Sequence, residues 1–229
     1  NLKKMKNYFL ILCALLVQNV FAQKQEEVIP SNEKAIIYID SVETSTPIDT
    51  MIENEVFLIT EYDASNSEWI MVDIPMNKMS KSKSGKIDFF KTGYVKKIDI
   101  NLIDEFSKEL EKNVRITFKI VKADTNKNIP IENLKYGLEI PLKDSYQITK
   151  MSIEWKGEIR LTDAVFYEDL YNVSFKEGEL SSSDSKKFEM FQKGESFFIK
   201  HNCGDGAGSY EITWVIKDGN IVQRLVDTI

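Results

Sequence analysis

The densest grouping of chemically capable side chains in this 229-residue sequence is His201-Asn202-Cys203-Gly204-Asp205-Gly206-Ala207-Gly208. Three chemistries could use it. A thiolate nucleophile needs a base within hydrogen-bond reach and a third group to orient that base. Cys203 lies two positions from His201, the only histidine, so nothing further is present to complete such a set. Zinc could take His201, Cys203 and Asp205, but a zinc site normally draws on a further, separated pair of ligands, and the sequence has none. A phosphate loop needs Gly-Lys-Ser/Thr running into a helix, and neither feature is present. What remains is a glycine-rich connection between two strands, in which His201 and Asp205 are candidate ligand-binding residues because glycines let a ligand approach the backbone closely.

Other groupings are weaker. Asp124-Thr125-Asn126-Lys127-Asn128 begins like a calcium loop, yet Ile129 stands where glycine is required and no glutamate closes it, so a plain turn is expected. Glu168 and Asp169 sit among Val165, Phe166, Tyr167 and Tyr171, a cluster that would serve either as a sugar-binding face or as a short turn packed on a core. No two carboxylates are singled out as an acid and base pair. No catalytic residue, metal ligand or cofactor is assigned, and a non-enzymatic protein is expected.

The elements that would position these residues read as strands. Glu68 to Pro75 alternates Trp69, Met71 and Asp73 with Ile70, Val72 and Ile74, the period of two that puts successive side chains on opposite faces. Strands are also expected at Ala35–Asp40, Glu55–Asp63, Phe89–Lys96, Val114–Lys122, Tyr136–Ile140 and Tyr146–Lys156. Further ones follow at Glu158–Phe166, Lys187–Phe191, Ser196–Asn202, Tyr210–Lys217 and Ile221–Val226. Asp218-Gly219 supplies the positive φ angles of a tight hairpin turn. Leu102, Ile103, Phe106 and Leu110 recur at helical spacing, which predicts a short helical linker within Asn101–Lys112. Asn77–Lys86, with four lysines and three serines, and Ser181–Ser185 read as exposed loops.

Glu68-Trp69-Ile70-Met71-Val72 followed after a loop by Gly93-Tyr94-Val95 resembles the bacterial SH3-like domain, in which a Trp-x-x-Val strand precedes Gly-Trp/Tyr-Val. The resemblance covers about residues 35 to 100. Ile37-Tyr38-Ile39 stands where that family opens with Asn-x-Arg. It implies a small barrel, with Trp69 and Tyr94 as candidate ligand-binding aromatics toward cell-wall peptide or glycan. The same residues would equally close the ends of the barrel core, with Gly93 placed where a side chain would clash. The expected architecture is therefore all-β: an SH3-like barrel over 35–108, then a β-sandwich-like antiparallel domain over 109–229.

Lysines at 3, 4 and 6, an apolar run from Tyr8 to Val17 and Val20-Phe21-Ala22 make residues 1–22 a secretory signal peptide, cut after Ala22, with a mobile leader over 23–34. Leu12 before Cys13 does not suit a lipoprotein cut, and no apolar run reaches the roughly 20 residues of a membrane span. Removing the signal takes three lysines and moves the formal charge from −6 to −9. It also leaves Cys203 as the remaining cysteine, so stability is expected from packing rather than disulfides. An acidic chain disfavours nucleic acid. The expected place is the periplasm or cell exterior, and the expected role is a non-catalytic binding or accessory protein of the bacterial envelope. The alternative is an acidic inhibitor or immunity-type protein that caps a basic toxin or wall hydrolase.

Overall fold

The computed structural model describes residues 26–61, 68–75, 90–106, 114–124, 136–137, 145–183, 188–203 and 209–228. The expected signal peptide, the Asn77–Lys86 loop and Asp205 lie outside them. The architecture is all-β, its sheets are antiparallel, and no helix of seven residues or more occurs among the described residues. Seven strands form an N-terminal sheet: β1 (Glu27–Pro30), β2 (Lys34–Tyr38), β3 (Pro47–Ile52), β4 (Phe57–Glu61), β5 (Trp69–Pro75), β6 (Phe90–Lys96) and β7 (Ile100–Leu102), in the order β3-β2-β6-β5-β4-β1-β7. An outer sheet has the order β10-β9-β8-β11, from β8 (Val114–Lys122), β9 (Tyr146–Trp155), β10 (Glu158–Leu161) and β11 (Gly178–Ser181). A central sheet runs β12 (Phe188–Lys193), β13 (Ser196–Cys203), β14 (Tyr210–Lys217) and β15 (Asn220–Thr228) in sequence order.

Alternation decides which face each sheet buries. Val114, Ile116, Phe118 and Ile120 of β8 meet Ile212, Trp214 and Ile216 of β14 in one large cluster, the core of a two-sheet sandwich. Fully burying one such side chain is worth about 1.5–3 kcal/mol. The hairpin expected at Asp218-Gly219 forms, with φ of 52° and 74°, and Lys156-Gly157 repeats the geometry at 50° and 86° between β9 and β10. In both turns two successive positive φ angles match the twist of the flanking strands.

The N-terminal sheet curls around its own core of Val28, Ile37, Met51, Phe57, Val72 and Val95. Its described strands do not close into a barrel, since β3 and β7 stand at opposite ends of the strand order. Its reverse face does a second job. Ile29 of β1 and Leu58 of β4, pointing away from that core, pack on Phe191, Phe198, Val215 and Leu225 of the central sheet. The central sheet is therefore apolar on both faces, and its β13 and β14 read as almost unbroken buried runs.

Several expectations change. Glu27–Pro30, expected within a mobile leader, is a buried strand that joins β4 to β7. The described part of the expected helical linker, residues 101–106, is the end of β7 followed by a 3-10 turn at Ile103–Glu105, because Ile103 is drawn into the contact with the central sheet, while residues 107–112 lie outside the described residues. Ser181 ends β11 rather than lying in an exposed loop, and the Ser182 hydroxyl accepts the Ile116 amide at 3.1 Å. The strand expected from Glu158 stops at Leu161 and gives way to a 3-10 turn at Ala164–Phe166, capped by the Asp163 carboxylate accepting from the Val165 amide.

Candidate functional site

On the β3–β2–β6–β5 part of the N-terminal sheet, the face turned away from the curled core carries aromatic and aliphatic side chains. Register places them together. Trp69 of β5 pairs with Lys96 of β6, Met71 with Tyr94, and Tyr94 with Tyr38 of β2, so all five project from one face. Ile36 of β2, opposite Thr50, and Ile52 of β3, opposite Lys34, extend the same face to the sheet edge. No described strand covers this half, in contrast to the β1–β4 half of the same sheet.

Tyr38 reaches over β6 to touch Trp69 edge-on, ring centroids 5.3 Å apart and planes at 90°, the arrangement favoured by the ring quadrupoles. Trp69 is 9% exposed, whereas Tyr38, Tyr94 and Met71 are half-buried and Ile52 is 54% exposed. Trp69 thus anchors the platform, and the tyrosines present its accessible surface. The Lys96 ammonium lies 5.6 Å from the Trp69 ring centre and donates to Glu43 Oε1 at 2.6 Å. That hydrogen bond, more than charge alone, lowers the Glu43 carboxyl and raises the Lys96 ammonium from their ordinary values. Beneath the platform Gly93 leaves the space occupied by Ile37 and Ile48.

His201 is placed elsewhere. It is fully buried in the sandwich core, its ring stacked on Phe188 at 4.0 Å between centroids and its Nε2 3.0 Å from the Val173 carbonyl oxygen. A ligand-binding role for His201 is therefore corrected to a packing role, since no surface of the ring meets solvent. Cys203, 1% exposed, sits on the same face of β13, so the thiol and imidazole serve the core side by side. The aromatic run around Tyr167 and Tyr171 is likewise interior. Asp169 receives a two-pronged hydrogen bond from the buried Arg224 guanidinium, 2.6 Å to Oδ1 and 2.9 Å to Oδ2, and so is a structural counter-ion rather than a general acid. Among the described residues no group of three His, Cys, Asp or Glu could hold a metal, and no helix is long and apolar enough to cross a membrane.

No family model, curated protein or solved structure matches the chain. The site must be judged on its geometry. An aromatic and aliphatic platform with one ion-paired lysine at its margin offers stacking, apolar contact and hydrogen bonding from tyrosine hydroxyls. Trp69 and Tyr94 were legible as candidates from their motif, while Tyr38, Met71, Ile36 and Ile52 were not. The signal that could have found them is period-two alternation in β2, where Ile36 and Tyr38 share one face and Ala35 and Ile37 the other.

Proposed function

We propose that this chain is an exported, non-catalytic binding protein of the bacterial envelope, and that the platform formed by Tyr38, Trp69 and Tyr94 receives a cell-wall peptide or glycan. The observation that carries the reading is the unequal treatment of one sheet face: its β1–β4 half is covered by the central sheet, while its β2–β6–β5 half is left with half-buried aromatics and no described cover. Export is supported by the signal-like residues 1–22. Kinship with bacterial SH3-like domains is part of the same proposal, and rests on Trp69-Ile70-Met71-Val72 and Gly93-Tyr94-Val95.

Ligand rings and methyl groups would lie on Tyr38 and Tyr94, at about 0.5–1.5 kcal/mol for each aromatic contact beyond its buried area. The purified mature protein should co-sediment with isolated cell-wall sacculi. Tyr94→Ala and Tyr38→Ala should each weaken retention about tenfold or less, and the double variant should abolish it, because tenfold corresponds to about 1.4 kcal/mol. Val222→Ala, a 42% exposed residue of the central sheet, should bind like the parent. A parent protein that stays in the supernatant would refute the reading, and unchanged retention of the double tyrosine variant would refute the platform.

A further inference from the structure

The seam between the N-terminal and central sheets contains a charged cluster in an otherwise apolar setting. The Lys200 ammonium, on β13, lies 3.1 Å from Glu27 Oε2 of β1, 3.3 Å from Glu211 Oε1 of β14 and 3.7 Å from Asp104 Oδ1 of the 3-10 turn after β7. Lys200 is 2% exposed, Glu27 5% and Glu211 4%. The Thr213 hydroxyl donates to Glu27 Oε1, whereas Oε2 accepts no well-directed hydrogen bond, so its contact with Lys200 is one of charge. Asp227, opposite Glu211 in the β14–β15 register, projects into the same seam. The other charged groups that face it are Glu189, opposite Lys200 in register, Asp73 on β5, and Lys193, whose ammonium donates to the Pro30 carbonyl at 2.8 Å.

Counting around Lys200 shows an imbalance. With every acid ionised, Lys193, Lys200, Glu189, Glu211 and Asp227 give the central sheet's side a net charge of −1, and Glu27, Asp73 and Asp104 give the facing side −3. Repulsion among the carboxylates then opposes the attraction that Lys200 exerts on Glu27 and Asp104 across the seam, in a site where low polarisability leaves charges poorly screened. With Asp227 and Glu27 protonated, the central side becomes neutral and the repulsion falls away. The apolar cluster across this seam is also smaller than the sandwich core, so it is the more easily opened of the two interfaces.

We propose that this seam is a pH-sensitive clamp, in which protonation of the acids around Lys200 tightens the N-terminal sheet against the central sheet and their ionisation loosens it. The inference does not depend on what the aromatic platform binds. Two titrations support the direction. Asp227 is pushed up to about 6, first by burial and then by Glu211 and Glu27, with Lys200 acting against them. Glu27 is raised as well, burial outweighing the opposing pull of Lys200 and Thr213. An acid that binds its proton more tightly when folded contributes stability that is complete below its unfolded value, 3.8 for Asp227, and is lost as pH rises through the folded value of about 6.

The test uses the mature chain and its Asp227→Asn variant, which mimics the protonated acid without changing shape. At pH 8 the variant should unfold about 2–4 °C above the parent, the shift expected of about 1 kcal/mol in a chain of this size. At pH 5 the gap should shrink to about half. Amide hydrogen exchange, corrected for its intrinsic pH dependence, should show β1 opening more often at pH 8 than at pH 6 in the parent, with β9 unchanged. A variant that is less stable than the parent at pH 8, an equal gap at both pH values, or β1 protection indifferent to pH would each overturn the clamp.

Discussion

Replacing Lys200 by methionine should lower the unfolding free energy by about 3–5 kcal/mol at pH 7, the range seen when one partner of a buried ion pair is removed. Methionine matches the lysine stem in length and flexibility, so the loss would come from charge rather than from a cavity. Glu27, Glu211 and the neighbouring Asp227 would be left without the cation that lies 3.1 Å and 3.3 Å from the first two. Burial acts to lower the Lys200 ammonium, but Glu27, Glu211 and Asp104 more than offset it and hold it above its ordinary value. That balance identifies Lys200 as a fixed charge and not as a nucleophile, which would need a lowered value. Urea unfolding measures the effect. Adding Glu27→Gln and Glu211→Gln to the lysine variant should recover most of the loss, since the cost resides in orphaned carboxylates.

Gly93→Val should cost about 3 kcal/mol, and Gly93→Ala about half of that, as overpacking in a closed core does. The backbone here needs no left-handed angle, and the constraint is space. A Cβ at Gly93 would stand 2.5 Å from Ile37 Cγ2, 3.0 Å from Ile48 Cδ1 and 3.2 Å from the Tyr38 carbonyl oxygen. Ile37 is fully buried and β-branched, so its methyl cannot swing aside by a rotamer change. The strain would push β2 away from β6 and carry Tyr38 off Trp69. Near-ultraviolet circular dichroism should therefore lose aromatic signal along with the drop in urea midpoint.

The all-β architecture was legible because it rests on local rules. Trp69 to Pro75 declares its two faces by alternation, and Asp218-Gly219 declares a turn by its need for positive φ. The positions that failed depend on tertiary partners. Glu27–Pro30 lies in the stretch 23–34, polar on both sides and broken by Pro30, but it completes a sheet and seals an apolar seam. Lys200 sits in the run Phe197-Phe198-Ile199-Lys200-His201, where a charge within a buried strand was the available warning. Its counter-ion Glu27 is far away in sequence, and no periodicity links the two. His201 shows the converse: a lone histidine beside a cysteine and glycines suggested a site, yet its ring is stacked and hydrogen-bonded inside the sandwich.

The same seam explains how one curled sheet serves two ends. Gln223 of β15 pairs with Val56 as a strand would, accepting from its amide at 2.7 Å and donating to its carbonyl at 2.8 Å. This contact and the apolar residues around Phe198 join the β1–β4 half of the sheet to the central sheet, with the Lys200 cluster in the same seam. The β2–β6–β5 half carries the aromatic platform, preorganised by the Tyr38–Trp69 contact.

We propose that a ligand of the bacterial envelope binds on this platform. Backbone amide shifts of the mature protein, followed during titration with soluble cell-wall fragments, test it most directly. Shifts concentrated in β2, β5 and β6 around Tyr38, Trp69 and Tyr94, and absent in the Tyr38→Ala, Tyr94→Ala double variant, are the predicted result. Shifts centred on the β13–β14 connection, or none at saturating fragment, would contradict it.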